Sequence, residues 1–557
     1  MKKIQSTQLF YLLLLSWFLI NIVQSILTEI TNDEAYYALW GSRLDWGYFD
    51  HPPMVAVFTA ISSWLFSGNL GVRFMTVAMQ LATLMLVWKT LGLKTTTNSL
   101  IVRFFALAAS IVMFTAYGFI TTPDVPLLFF AALFLRSYRL FLAKESLFNG
   151  LLLAVAMAGM IYSKYQAGLL IVLVVLSNLK LLLNYRFWLA GILALVLLIP
   201  HAVWQIQHDF PGFQYHLVDR SSAFTWKFFF EYWPNQLAVF NPFTLVAVGW
   251  ALFSKRKIAV FDRALYFIIV GFLVFFWGTS FRGHVEPHWT IAASLPMLIL
   301  VMRESELNPK LVRYIRRFVY PSLLLILIAR VLIMTDVLPK RLAFHGKEQR
   351  YNALHEVAGE SPVIFRGSFQ NPSLYQYFTG KDAQVISSLY SRRTQFDIWK
   401  AEEQLYDKMV FVTGQYEGRS EIFGSYEHKF EGFFTDSLQV TNHIKISYQL
   451  PEGDLIAGDT VVIPVVLQNN SVQHYEFHHP VFPGKLIGIF ISKGKMTEIE
   501  AVWNTEEKLL PGEEVATTIS LQVPESGDAA CQFTLSLKSW FGPTLNAAIT
   551  NIIILQP

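Results

Sequence analysis

Two acids stand side by side at Asp33 and Glu34 in T-N-D-E-A-Y-Y-A-L-W, and a third, Asp124, sits in T-T-P-D-V-P. Carboxylates of this kind take a proton from an attacking hydroxyl, steady a developing positive charge, or hold a cation. Lys164 in S-K-Y-Q and Arg282 in F-R-G-H-V-E-P-H-W-T carry the opposite charge, suited to a phosphate group. Each has a structural alternative. Neighbouring helix residues do not share a face, so one acid of the Asp33–Glu34 pair can face a cavity while the other braces the fold or holds a cation. Asp124, after a proline, suits a helix cap or turn. Lys164 also fits a lysine snorkelling to an interface.

Aromatic and imidazole groups surround these charges. Tyr36, Tyr37, Trp40, Trp46, Tyr48 and Phe49 follow the first acids, and Tyr162 and Tyr165 flank Lys164. Rings collect at membrane interfaces and also stack on sugars. Tyr36, Tyr37 and Tyr165 are the substrate-binding candidates among them. Glu286 and His288, with His284, offer hydrogen bonds or metal ligation, but the spacing is not H-E-x-x-H and the intervening proline opposes a helix. His51, before Pro52 and Pro53, is a further binding candidate whose structural alternative is to fix the exit of its loop.

The elements that must position these groups are membrane helices. The chain has 557 residues, 54% hydrophobic and only 15% charged, against roughly a quarter charged in soluble proteins. Apolar runs recur at 9–27, 72–91, 100–119, 125–142, 147–162, 167–183, 187–204, 237–253, 264–278, 289–302 and 318–335. That predicts about eleven spans, with 11–13 allowed. The first run is long enough to span and lacks a small-residue cleavage site behind it, so it reads as a span rather than a signal peptide. Cations fall on alternate connections. Lys2, Lys3, Lys94, Arg103, Lys144, Arg186, the run 255–257, Arg303, Lys310, Arg313, Arg316 and Arg317 form one group. Arg43, Lys164, Arg220, Lys227 and Arg282, with Arg73 at its border, form the other. The first group is cytoplasmic by the positive-inside rule. The acids, Lys164 and Arg282 then share the opposite face, as does everything after about residue 336.

From about 339 the composition becomes that of a soluble domain. Y-N-A-L-H-E-V-A, P-V-I-F-R and K-M-V-F-V-T predict a small α/β unit over 339–440. T-V-V-I-P-V-V-L-Q-N-N, L-I-G-I-F-I-S-K-G-K and A-T-T-I-S-L-Q-V-P predict a β-sandwich of immunoglobulin type over 441–557. The fold class is therefore a mainly α transmembrane bundle, 1–338, followed by α/β and β regions. Net charge of +4 and the lack of a basic stripe exclude a nucleic-acid partner. Cys531 is the sole cysteine, which excludes an intrachain disulfide.

D-E-A-Y-Y-x-L-W, L-D-W-G-Y-F-D-H-P-P and T-P-D-V-P-L-L together resemble the membrane glycosyltransferases of the GT-C class. Within it they are most similar to the family 39 and family 83 groups, the protein mannosyltransferases and the lipid A aminoarabinose transferases. The resemblance covers 1–335; S-K-Y and V-E-P-H-W add to it, with His288 where the family often has Asn. S-R-R-T-Q-F-D-I-W, 391–399, resembles a segment of related bacterial members. The resemblance implies a polyprenyl-phosphate sugar as donor, a lipid A, glycan or protein acceptor, and the outer face of the cytoplasmic membrane as the place of reaction. It further implies Asp33 as general base, inversion at the anomeric carbon, Lys164 and Arg282 on the leaving phosphate, and Glu34 and Asp124 as orienting groups or ligands of a divalent ion. The competing class is a multi-span transporter or flippase. Transporters carry charge near mid-membrane and repeat their halves; here the charges gather at one interface.

Overall fold

The computed structural model describes residues 5–93, 95–215, 225–254, 258–338, 344–425, 427–492, 495–504, 507–525 and 530–556. Lys2, Lys3, Lys94, Arg220 and the basic run 255–257 lie outside the described residues. The chain divides into two compact units, 1–347 and 348–557.

The first unit is helical. It opens with α1 (Ser6–Leu27), α2 (Asn32–Ser42), α3 (Met54–Leu65), α4 (Gly68–Leu91), α5 (Asn98–Ser110), α6 (Val112–Ala116), α7 (Asp124–Ala143), α8 (Leu147–Ser163) and α9 (Ala167–Ser177). It continues with α10 (Tyr185–Leu197), α11 (Ile199–Gln207), α12 (Pro211–Gln214), α13 (Trp226–Phe240), α14 (Pro242–Leu252), α15 (Val260–Thr279), α16 (Ser294–Leu307), α17 (Pro309–Tyr314) and α18 (Tyr320–Met334). Among the described residues five helical segments are long and apolar enough to cross a membrane, or six if the bent pair α10–α11 is one span. The chain is a multi-pass membrane protein of mainly α class with a β-rich C-terminal region.

The gap between about eleven apolar runs and five or six long helices has local causes. The run 100–119 breaks at Ile111, whose extended backbone separates α5 from α6. The run 237–253 breaks at Asn241, which has φ 68° and caps α14 through its side chain, with Pro242 beginning the new helix. Proline lacks the N–H a continuing helix would need, so it starts one instead. Pro200 marks the 43° bend between α10 and α11. The run 289–302 begins as a 3-10 turn over Pro287–Ala293 before α16. These shorter pieces still pack together: Phe104, Phe134, Tyr138, Ile269 and Leu300 belong to one buried apolar cluster.

In the second unit, α19 (Lys347–Ala358) leads into β1 (Val363–Arg366), α20 (Gln370–Thr379), β2 (Ala383–Ile386), β3 (Val410–Thr413), β4 (Glu421–Gly424) and β5 (Lys429–Thr435). The strands lie in the order β2-β1-β3-β5-β4. β1 runs parallel to both β2 and β3, and β5 is antiparallel to β3. Beyond 440 two antiparallel-rich sheets pair the predicted strands, Thr460–Asn469 against Glu514–Gln522 and Lys485–Ser492 against Ala530–Ser539. One apolar cluster crosses residue 440: Ile364 and Val412 of the α/β part pack with Phe482 and Phe541. In the segment 391–399, Thr394 caps a short helix through a capping box with Asp397, which also accepts from the Ser387 hydroxyl.

Candidate functional site

The first acids are set by a helix start. Thr31 caps α2, its hydroxyl accepting from the Glu34 N–H at 3.3 Å while the Glu34 carboxylate accepts from the Thr31 N–H at 2.8 Å. This is the capping box that T-N-D-E encodes. Glu34 then does more than cap. Arg73 of α4 donates from Nε to Oε1 and from Nη2 to Oε2, both at 2.6 Å, and neither side chain is exposed. The Thr121 N–H adds a fourth bond, to Oε1, at 2.9 Å. The rest of the Arg73 guanidinium donates to the carbonyls of Ser25, Thr28 and Glu29. Four donors saturate the Glu34 carboxylate. It braces the loops before α2 and α7 against the end of α1, and the Arg73 cation is its partner.

Asp33, on the next helical position, is exposed. It and Asp124 both act electrostatically on the phenol of Tyr117. Asp124 opens α7, where the helix dipole favours negative charge. Lys164, the C-cap of α8, reaches it with Nζ 2.8 and 3.0 Å from its two oxygens. The pair is 4% and 1% exposed, so each charge needs the other. With its amide turned so that the oxygen faces Lys164, the Gln166 side chain accepts from Nζ at 3.3 Å and donates to the Trp289 carbonyl at 2.9 Å. His288 completes the group with Nε2 3.7 Å from Asp124 Oδ2 and its ring edge-on to Tyr117. Tyr117, Asp124, Lys164, Gln166 and His288 therefore meet at one place, with Asp33 acting on the same phenol.

The remaining candidates separate from this group. Tyr36 and Tyr37 are buried, each within 5.0 Å of the Trp40 ring by centroid distance. His51 lies edge-on to Tyr37, so all three help to form an aromatic core between α2 and α3. Glu286 lies 3.7 Å from His284. Arg282 is exposed and makes no ion pair among the described residues. The carboxylates named for a divalent metal do not fit one: Glu34 is filled by four N–H donors and Asp124 by Lys164. No cluster of three or more His, Cys, Asp or Glu side chains placed for a metal occurs among the described residues.

Tyr165 belongs to a second polar cluster. His201 lies 2.7 Å from the Trp46 carbonyl through Nδ1, which must carry the proton because a carbonyl only accepts. Nε2 therefore accepts from the Tyr165 hydroxyl at 3.2 Å, whose oxygen accepts from Gln205 at 2.9 Å. The Trp204 N–H donates to Asp45 at 2.8 Å. A Cβ on Gly47 would lie 2.3 Å from the Trp204 ring, so only glycine admits that approach. The cluster ties the loop at 45–51 to the turn at 164–166 through α11. His201, Asp45 and Gln205 escape sequence reading: each sits in or beside aromatic sequence with no motif spacing, and only the fold joins them.

Residues 50–204 match the family described as dolichyl-phosphate-mannose-protein mannosyltransferase. No curated protein matches the chain. Among solved structures the chain is similar to ArnT from Cupriavidus metallidurans in the apo state, at 13% identity over 77% of this chain and 98% of that one, with a TM-score of 0.56. The same protein bound to undecaprenyl phosphate gives 13% identity, 76% and 97% coverage and a TM-score of 0.55. The arabinofuranosyltransferase AftD from Mycobacteria aligns at 10% identity over 99% of this chain and 60% of that one, with a TM-score of 0.44. The resemblance to the GT-C class read from the first 335 residues is borne out: the fold is of GT-C type.

Proposed function

We propose that the chain is a glycosyltransferase that moves a sugar from a polyprenyl-phosphate donor to an acceptor hydroxyl of lipid A, a glycan or a protein. The carrying observation is the buried Asp124–Lys164 pair with His288 beside it and Asp33 acting on the shared Tyr117. A cluster of that charge at the ends of apolar helices suits a reaction whose donor stays dissolved in lipid. Two comparisons support the donor class: the matched family's description names a dolichyl-phosphate sugar, and ArnT has been solved with undecaprenyl phosphate.

In the proposed reaction Asp33 takes the acceptor proton as the acceptor oxygen attacks the anomeric carbon. The bond from that carbon to the phosphate oxygen breaks, its electron pair leaves with the polyprenyl phosphate, and configuration inverts. Arg282, which is exposed and makes no ion pair among the described residues, meets the phosphate. Lys164 neutralises Asp124 and keeps it oriented, and a phosphate reaching Nζ would have to displace Asp124 or Gln166. His288 and Glu286 line the approach. The reaction takes place at the outer face of the cytoplasmic membrane, and the C-terminal unit is extracytoplasmic.

The test is transfer by the purified chain in lipid nanodiscs, read by mass spectrometry of cell-envelope glycolipids supplied as acceptor and of released polyprenyl phosphate. Asp33→Asn should stop both products while thermal stability is kept. Full turnover by that variant removes the base; solute movement across vesicles without covalent product removes the transferase.

A further inference from the structure

The α/β part of the second unit contains a crevice that the transfer chemistry does not use. Its strand order, β2-β1-β3, reverses direction at β1: the chain leaves β1 through α20 to β2 on one side and returns to β3 on the other. In parallel sheets wound this way, ligands sit beyond the carboxyl ends of the strands at the point of reversal. Here those ends are Arg366 of β1 and Thr413 of β3, each followed by a glycine at positive φ, Gly367 at 96° and Gly414 at 122°. A cavity of about 370 Å³ lies at that point, within the size range of small-molecule sites.

Its lining is rich in donors. Arg350, Arg366 and Lys429 line it together with one carboxylate, Glu431, whose Oε1 accepts from the Ser420 hydroxyl at 3.2 Å. Arg350 and Arg366 make no ion pair among the described residues. Arg366 is held in place by the Trp540 ring, 4.4 Å beneath its guanidinium. The Tyr351 hydroxyl donates to Asn371 Oδ1 at 2.9 Å, which turns the amide nitrogen into a further oriented donor. Tyr351 and Phe430 add ring surface to the same wall.

We infer that this crevice is a binding site for an anionic saccharide, a phosphate or carboxylate on a sugar ring. Arg350 and Arg366 take the anion, Asn371 takes a hydroxyl, and the rings take the C–H face. That the ring is a sugar rests on the proposed transferase activity; that the ligand is a small anion rests on the crevice alone. The sugar can arrive free or as a glycolipid headgroup.

The experiment is calorimetric titration of the full-length chain with glucose 1-phosphate, galacturonate, inorganic phosphate and neutral maltose, and with a phosphorylated glycolipid in nanodiscs. Saturable binding of the sugar anions, absent for maltose, is expected, and weakening by about tenfold or more in Arg366→Gln combined with Arg350→Gln, as loss of charge-assisted bonds requires. Both arginines are exposed, so melting temperature should hold. Arg366→Lys should retain part of the affinity. Tighter binding in nanodiscs assigns the lipid-borne source, and equal binding of the soluble sugars the free one. No saturable binding of any anion, or affinity unchanged in the double variant, overturns the site. Binding that survives in Asp33→Asn, whatever that variant does to transfer, separates this site from the reaction.

Discussion

Arg73 grips Glu34 with two nitrogens at 2.6 Å each, in a setting where neither side chain is exposed. Breaking such a pair by removing one partner leaves a buried charge alone. Glu34→Ala should lower stability by about 3–5 kcal/mol, seen as lost monodisperse protein after heating in detergent. The double replacement Glu34→Leu with Arg73→Met should recover part of that loss. Wild-type stability in the single variant would show that the pair holds nothing.

Lys164 and Asp124 invite the same cycle with a different readout. Lys164→Met should reduce stability and transfer together, because Asp124 loses both its neutralising charge and its orientation. Lys164→Met with Asp124→Leu should restore melting temperature without restoring transfer. Restored transfer in the double variant would confine both residues to a structural role.

Arg282 is exposed and outside any described ion pair, so its loss should leave folding intact. Arg282→Gln should raise KM for the polyprenyl-phosphate donor by about tenfold, the worth of one charge-assisted hydrogen bond. An unchanged donor KM with a changed kcat would move its role from binding to leaving-group chemistry.

Gly47 meets the Trp204 ring so closely that a methyl group has no room. Gly47→Ala should cost about 1–3 kcal/mol through overpacking. The same substitution should loosen the loop carrying Asp45 and Asp50, read as faster amide exchange over 45–51. Unchanged exchange there would mean that Trp204 yields instead.

In the second unit, burial raises the Asp397 carboxyl above its ordinary 3.8, against the lowering effect of its bonds from Thr394 and Ser387. A folded value above the unfolded one contributes stability that is fully present below pH 3.8 and is lost as pH rises through the folded value. Asp397→Asn keeps the acceptor oxygen and cannot ionise. Its melting temperature relative to wild type should therefore climb across that window. Parallel pH profiles would refute the assignment.

How much of this was legible varies with range along the chain. T-N-D-E is a local signal, so the cap at Thr31 and the contrast between an exposed Asp33 and an engaged Glu34 follow from adjacent residues. The helical membrane bundle followed from long apolar runs, and its GT-C type from the resemblance that the acid blocks carry. Glu34 and Arg73 are 39 positions apart, and Lys164 and Asp124 are 40 apart. Charge type named all four, but no periodicity pairs residues across two helices. The helix breaks at Pro200 and Pro242 were written in the sequence, where apolar length outweighed them in counting spans. His201 and Asp45 carried no spacing that separates them from an ordinary aromatic interface.

Thr121 gives its N–H to Glu34, and Asp124 stands three positions later; Asp33 is the neighbour of Glu34 on the other side. The two acids around Tyr117 are thus surveyed from a single benchmark rather than from two independent helices. Any displacement of α4, and of Arg73 with it, therefore reaches the neighbourhood of both acids through the one carboxylate of Glu34.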